Sequence, residues 1–278
     1  MLHKIHYLEQ SLPMLIKSLQ AEKFDFVIDL HQNLRSNLLK WRLGARVLTY
    51  RKYLWARWLL VHFKINRGPF RHWVDIFWDT VKPLGVVNDG QGLDFFIAPQ
   101  DEVPPSHWPY THQAGFVAFV IGASEFTKKL PLEKKIEICR RLHQPIALVG
   151  GPEDRSEGDL MASALPQQAI WNTCGSFRLG QSASLVQQAD YVVGHDTGLT
   201  HIAAAFKKKI YAIYGGTLSQ YLYPYGTESV IIEHPNLACR PCAKAGRADC
   251  PKGHFKCMLD LRLEDYFGHE THPSEPYR

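Results

Sequence analysis

The stretch Tyr191-Val192-Val193-Gly194-His195-Asp196-Thr197-Gly198-Leu199-Thr200-His201-Ile202-Ala203-Ala204-Ala205 decides how this chain folds. Residues 191–193 read as an apolar strand, a short polar turn follows, and small apolar residues then carry a helix over 199–206. The same change of period recurs on both sides. Strands are expected at 116–121, 145–149, 169–171 and 210–214, and helices at 131–142, 154–164 and 181–188. Strands that are apolar throughout and joined by helices require a parallel sheet covered on both faces. The fold class is α/β, and such a sheet binds ligands beyond the carboxyl ends of its strands.

Those strand ends carry the candidate chemistry. At the start of the 199–206 helix the first amides lack intrahelical acceptors, and the dipole adds partial positive charge. Gly198 admits a phosphate close to the backbone, and Thr197 and His201, four apart, share a helix face. The alternative is an ordinary N-cap by Asp196 or Thr197 with a packed His201, and spacing alone does not choose. A second junction, Ile121 to Pro131, places Ser124, Thr127, Lys128 and Lys129 before a helix opened by proline, which suits a second phosphate position. A third, Gly150-Gly151-Pro152-Glu153-Asp154, offers paired glycines and a Glu153 able to accept from a ribose or base, or only an acidic helix start. Gly215-Gly216-Thr217 is a fourth such loop. No complete G-x-G-x-x-G or Walker sequence is present, which argues against a nicotinamide enzyme or an ATPase.

Outward toward the amino terminus, helical spacing is expected from about residue 8 to 21, then a strand over 24–30. A helix follows, containing Leu34, Leu38 and Leu39 and capped by Asn33 or Gln32. A strand at 45–50, a basic aromatic helix at 53–63, a helix at 72–84 ended by Gly85 and a short strand at 93–97 complete this half. Residues 98–114, with Pro99, Pro104, Pro105 and Pro109, read as an interdomain linker. The domains expected are 1–108 and 109–278.

Composition sets outer bounds. The 278 residues are 45% hydrophobic and 21% charged, ordinary for a soluble globular protein. No apolar run reaches the ~20 residues that span a bilayer, and the first residues have no apolar signal-peptide core, so the cytoplasm is the expected compartment. The last eleven residues, polar and proline-containing, read as disordered. The net charge of +5 is unevenly spread. From Leu30 to Val74 there are ten Lys or Arg and no acid, interleaved with Trp41, Trp55, Trp58, Phe63 and Trp73. Either this is a solvated face, or it meets an anionic partner such as a phosphorylated lipid, a membrane surface or a nucleic acid.

Taken together, these residues resemble glycosyltransferase family 9, the bacterial lipopolysaccharide heptosyltransferases. The resemblance rests on Phe26-Val27-Ile28-Asp29-Leu30-His31-Gln32-Asn33-Leu34-Arg35-Ser36, on Gly122-Ala123-Ser124 with Lys128-Lys129-Leu130-Pro131, and on Val149-Gly150-Gly151. It continues through Asp196-Thr197-Gly198-Leu199 with His201, Gly215-Gly216-Thr217, Cys239-Arg240-Pro241-Cys242 and Cys250-Pro251-Lys252-Gly253-His254. It implies a GT-B architecture of two Rossmann-like domains, an acceptor-side one and a nucleotide-sugar one carrying a Cys-rich loop. It implies inverting transfer of heptose from ADP-heptose, or use of another nucleotide-sugar, with a Kdo or heptose hydroxyl of a lipid A-core as acceptor. No cofactor or metal is implied for transfer, because helix termini and basic side chains neutralise the leaving diphosphate. By position Ser124 and Lys128 would contact phosphate or sugar and Glu153 the nucleoside. Asp196, Thr197, Gly198, Leu199 and His201 would frame diphosphate and sugar, while Arg35, Arg51 and Lys52 would face the acceptor. Peripheral contact with the cytoplasmic face of the inner membrane follows, and no nucleic acid.

One departure from the family pattern bears on catalysis. Members begin with a strand and a glycine-aspartate turn that supplies the general base, and this sequence corresponds to the family from about the second strand. The first domain is therefore expected to be incomplete, the catalytic base unknown, and sugar transfer by residues 1–278 slight or absent. Asp25 and Asp29 are substitutes only in name, since both border a buried strand.

Cys139 and Cys174 are isolated and read as buried thiols. Cys239, Cys242, Cys250 and Cys257 lie within nineteen residues, a spacing that suits structural zinc, reduced thiols in a compact loop, or disulfides under oxidation. Two other functions compete with the transferase. One is a non-catalytic nucleotide or phospholipid binder. The other is a zinc-containing nucleic-acid-binding protein, against which the basic run and the cysteines lie in different halves.

Overall fold

Strand β3 (Val117–Val120) shows why the sheet of the second half forms. Val117, Phe119 and Ile121 point into one apolar core and Phe116, Ala118 and Val120 into another, so one run of residues serves both faces. The computed structural model describes residue 6 and residues 11–68 and 71–267. Those residues form two compact units, Met1–Leu54 with Arg71–Asp89 and Trp55–Phe70 with Gly90–Arg278. The division is not a single cut, and 108/109 falls inside the second unit.

The first unit contains α1 (Leu12–Ala21), β1 (Phe26–Asp29), α2 (Leu34–Leu43), β2 (Arg46–Thr49) and α4 (Trp73–Val81). Helix α3 (Leu54–Phe63) begins at the boundary and runs in the second unit. β1 and β2 pair in parallel, Phe26 opposite Arg46. Asn33 and Ser36 form a reciprocal cap on α2, each backbone amide donating to the other's side chain at 2.9 Å, and Gly44 closes the helix in the left-handed region at φ 66°. The expected helix at 8–21 begins at Leu12 with Ser11 as its N-cap, residues 8–10 lying outside the described ones, as do the last eleven residues of the chain.

The second unit is a six-stranded, wholly parallel sheet in the order β5-β4-β3-β6-β7-β8. The strands are β3, β4 (Ile146–Val149), β5 (Ile170–Asn172), β6 (Tyr191–His195), β7 (Ile210–Tyr214) and β8 (Ser229–Glu233). Helices α5 (Leu132–Arg141) and α6 (Arg155–Ala164) supply one core with Ile138, Cys139 and Met161. α7 (Leu179–Gln188) and α8 (Gly198–Ala205) supply the other with Leu185, Val186, Ala203 and Ala204. A last short helix, α9 (Lys256–Leu259), adds Cys257 and Met258 to the first core. The chain winds from β3 outward to β5, then returns to lay β6 against the other side of β3. That reversal makes the β3/β6 boundary the topological switch point, where the outgoing loops separate and leave a crevice.

Two expectations do not hold here. Residues 93–97 are not a strand; they join no ladder, and Phe95 packs edge-on against Phe206 at 5.8 Å. Residues 98–114 are not a loose linker. Their prolines limit them to three short 3₁₀ turns, but Val103 is buried, its amide donates to Ser184 Oγ at 2.9 Å and its carbonyl accepts from Gln188. His112 is buried as well, bonded through Nε2 to the Ile146 carbonyl at 3.1 Å. The segment covers the α7 face of the sheet, which its proline content alone does not reveal.

Candidate functional site

Four loops leave the carboxyl ends of β3, β4, β6 and β7, and the one after β6 organises the rest. Thr197 is the N-cap residue of α8 by backbone conformation, yet its side chain makes no capping hydrogen bond. Gly198 opens the helix, and a Cβ added there would meet nothing within 4 Å. The protein's own packing therefore does not demand glycine at this position. An anion approaching the first amides of α8 would gain from its absence of side chain.

Asp196 is buried and gathers the cations. Its Oδ2 lies 2.9 Å from Lys128 Nζ and accepts from Thr217 Oγ1 at 3.1 Å, while Oδ1 lies 3.7 Å from His201 Nε2. Burial works against the charge of Asp196, but His201 and Lys128 outweigh it and hold the carboxyl below the usual carboxylate range. An ionised Asp196 repels a phosphate at contact distance. Its place in the site is to orient Lys128 and His201 and to bind the β3, β6 and β7 loops together through Thr217. Beneath it, the fully buried His195 accepts from the Leu130 amide at Nε2, 3.0 Å, and burial keeps its ring far below ordinary basicity. Thr200 Oγ1 donates to the His195 carbonyl at 2.7 Å, which anchors the first turn of α8 to β6.

The β3 loop is divided between outward and inward groups. Ser124 is exposed, and Lys128 is directed at Asp196. Thr127 and Lys129, expected as further phosphate ligands, are committed elsewhere. Thr127 is buried, with its hydroxyl accepting from the Arg247 amide at 2.8 Å and its carbonyl from Gly216 at 3.0 Å. Lys129 pairs with Asp154 at 2.9 Å.

Asp154 was not among the expected site residues, and it explains the glycines of two loops. Its carboxylate is buried between the ends of β3 and β4 and accepts from the Gly151 amide at 3.0 Å. A Cβ on Gly122 would run into that carboxylate, and one on Gly150 would sit 2.9 Å from Asp154 Cβ and 3.0 Å from Cys174 Sγ. Gly151 likewise has the Glu153 carboxylate against it. These glycines make room for acids of the chain itself, and Gly150-Gly151 opens the acidic start of the next helix. Glu153 is exposed at the mouth of this loop, where a hydroxyl-rich ligand can reach it.

The Cys-rich segment lies over these loops as a strap. The Cys242 amide donates to Gly216, Arg240 reaches the Thr217 carbonyl at 2.9 Å and Glu233 at 2.6 Å, and Lys64 Nζ donates to Pro241 at 2.7 Å. All six cysteines are free. Among the described residues no group of three or more His, Cys, Asp or Glu that could hold a metal ion is found, while Cys242 and Cys257 each feel the charge of Cys239 and Cys250. Cys257 faces the core, Cys242 Sγ points at the Cys239 carbonyl and Cys239 Sγ at His254. Cys139 and Cys174 are buried thiols as expected, and burial pushes each up to about 12.

The residues expected on the acceptor side lie in the first unit. Arg35 and Arg51 are exposed, with Arg51 over the Tyr53 ring at 5.0 Å, and Lys52 donates to the Gln32 carbonyl. Asp29 cannot serve as the base. It accepts from the His31 and Gln32 amides, Ser36 Oγ and Lys40 Nζ, all within 2.9 Å. Burial opposes its charge, but Gln32, Lys40, His31 and Ser36 together hold it at about 2. It ties β1 to α2.

A parallel sheet with cationic side chains at a helix start beside its switch point is a plan shared by many enzymes, and the comparisons narrow it. The lipooligosaccharide heptosyltransferase 2 of Haemophilus influenzae is 26% identical over 164 residues, which is 58% of this chain and 41% of that protein's length. The chain thus matches less than half of such a relative. Among solved structures, a family 9 glycosyl transferase from Veillonella parvula aligns at TM-score 0.61 and 21% identity, over 80% of this chain and 66% of that one. The Escherichia coli ADP-heptose lps heptosyltransferase II aligns at TM-score 0.56 and 19% identity, over 91% and 81%. At these identities the likeness speaks for the fold, α/β of the GT-B class. The family model for glycosyltransferase family 9 (heptosyltransferase) matches residues 13–251, and the chain belongs to that family.

Proposed function

We propose that this chain provides the nucleotide-sugar site of a heptosyltransferase. It holds ADP-heptose by the diphosphate at the start of α8, and the heptose passes to a Kdo or heptose hydroxyl of the lipopolysaccharide inner core. The observation that carries the reading is the Lys128–Asp196–His201 group set around an α8 amino terminus whose Gly198 has open space beside it. In the displacement, the acceptor hydroxyl oxygen attacks the anomeric carbon as the bond to the diphosphate breaks and its proton passes to a general base, a role that none of the residues assigned here fills. Negative charge then grows on the leaving ADP. Free amides of α8 and the Lys128 ammonium lie where that charge develops and need no reorganisation to meet it. Ser124 and Thr197 supply hydroxyls at the rim, and Glu153 is placed for the nucleoside. The ADP-heptose donor rests on the name of a solved relative and the inner-core acceptor on the family resemblance, and the chain's own geometry supports the diphosphate site.

Titration calorimetry with ADP, AMP and adenosine tests the reading. ADP is expected to bind more tightly than AMP, and Lys128→Ala to weaken ADP ~10–100-fold while leaving adenosine unchanged, as for loss of one charge-assisted contact. Equal affinity for ADP and adenosine, or an unaltered Lys128→Ala, would sink the diphosphate assignment.

A further inference from the structure

Given the nucleotide-sugar reading of the site, on which this rests, we propose that Phe126 is the platform for the donor's sugar, its ring laid against the C–H face of the heptose.

Phe126 is an apolar residue in a polar loop, and it is 49% exposed. Its ring stacks on that of Phe255, with centroids 4.6 Å apart and planes 26° from parallel. Phe255 is buried, so the stack has its inner ring inside the protein and the outer face of Phe126 turned to solvent. Phe255 holds a left-handed backbone, φ 44° and ψ 25°, a conformation that costs an aromatic residue energy. It is kept there by opening α9, its carbonyl accepting from the Met258 and Leu259 amides at 3.0 and 3.1 Å. Phe126 is fixed as firmly. Its carbonyl accepts from the Lys129 amide at 3.0 Å, and the next residue, Thr127, is held on three sides. The Thr127 amide donates to the Arg247 carbonyl, its hydroxyl accepts from the Arg247 amide and its carbonyl accepts from the Gly216 amide. A ring backed by a second ring and carried on a locked turn loses little freedom when a ligand arrives.

Position selects the sugar over the base. The sheet order sets the β4 loop, with Glu153, on one side of the β3 loop, and β6 followed by β7 on the other. Phe126 belongs to the β7 side. Thr127 is bonded to Gly216, and α9 brings Met258 against Gly215, where an added Cβ would come within 2.6 Å of its Cε. A donor with its nucleoside at Glu153 and its diphosphate at the start of α8 runs from β4 toward β6, so its sugar end arrives on the side of Phe126. Two residues further on, Lys128 meets Asp196 at 2.9 Å, which ties the platform to the group around the diphosphate. The chemistry agrees with the placement. A phenyl face carries the negative part of the ring quadrupole, and the C–H bonds on one side of a sugar ring present weakly positive hydrogens to it. The sugar hydroxyls at the ring edge stay available for hydrogen bonds.

The test is calorimetric titration of the full chain with ADP-heptose and, separately, with ADP. Phe126→Leu is expected to weaken ADP-heptose roughly 3–10-fold, the range of one aromatic contact, while ADP binds as in the parent. Its thermal midpoint should stay near the parent's, because leucine still covers Phe255. Phe126→Tyr keeps the ring and should bind ADP-heptose as the parent does. A ring that only covers Phe255 would lower the midpoint without separating the two ligands, and that result overturns the proposal. Equal losses for ADP and ADP-heptose would put the ring at the nucleoside, and an unmoved ADP-heptose affinity would leave it without a ligand; either overturns it as well. A parent that binds no ADP would bring down the diphosphate reading and the platform together. Normal ADP binding beside any of the other adverse results refutes the platform alone.

Discussion

Gly198 and Gly122 look alike in the sequence, each just past a strand end, and the structure gives them opposite duties. A methyl group on Gly198 meets nothing in the protein, whereas one on Gly122 drives into the buried Asp154 carboxylate that Lys129 and the Gly151 amide hold in place. Gly198→Ala should therefore fold with an unchanged or slightly raised thermal midpoint, since alanine is the better helix former by up to ~1 kcal/mol. Its ADP affinity should fall, because the methyl occupies the approach to the α8 amides. Gly122→Ala should lose about 1–3 kcal/mol of stability by overpacking. Thermal scans beside ADP titrations separate the two; a destabilised Gly198→Ala or a fully stable Gly122→Ala would contradict the assignment. The sequence placed Asp196, Lys128 and His201 near one another because each follows a strand of the same parallel sheet. It did not show that Asp196 serves the two cations rather than the ligand, nor that Asp154 fills the neighbouring crevice. Both facts depend on side chains meeting across strands far apart in the chain.

At the level of elements, α5 carries a fully buried Lys135 whose ammonium meets Glu157 of α6 at 2.6 Å. Burial pushes the lysine down, and Glu157 draws it part of the way back. A buried pair of this kind contributes little against an apolar substitute, while removing one partner strands the other. Replacing the pair, Lys135→Met with Glu157→Leu, is expected to be neutral or stabilising, and Glu157→Ala alone to cost about 3 kcal/mol, read from urea midpoints. Equal losses in both would mean that the pair itself is strongly stabilising. The strands and helices around this pair were legible because β3, β4 and β7 are apolar throughout and β3, β4 and β6 are each followed by a helical period. β8 went unread, since Ser229–Glu233 is reached by a loop with no helical period before it. Residues 93–97 were read as a strand for the converse reason. One apolar face packs, as Phe95 does on Phe206, but pairing needs a neighbour the local pattern cannot supply.

For the whole molecule, two compact units with separate means of stabilisation should answer to different ligands. In the first, Asp29 is held at about 2 by four donors, against an ordinary value of 3.8. A carboxyl depressed in the folded state contributes stability in full above its unfolded pKa, and that contribution disappears as pH falls toward the folded value. Here the window is about pH 4 to 2, and the shift corresponds to about 2 kcal/mol. In the second unit, ADP bound at a hundredfold its dissociation constant adds ~2.7 kcal/mol. Hydrogen exchange followed by peptide should thus show ADP slowing the amides of β3, β6 and α8 while leaving β1 and β2 unchanged. Asp29→Asn should speed exchange in β1 and β2 at neutral pH, converge with the parent as pH approaches 2, and leave β3 and β6 unaffected. If ADP protected β1 and β2 as strongly as β6, the two units would be one cooperative body. The proposed nucleotide site would then draw on the residues of the first unit for its stability as well.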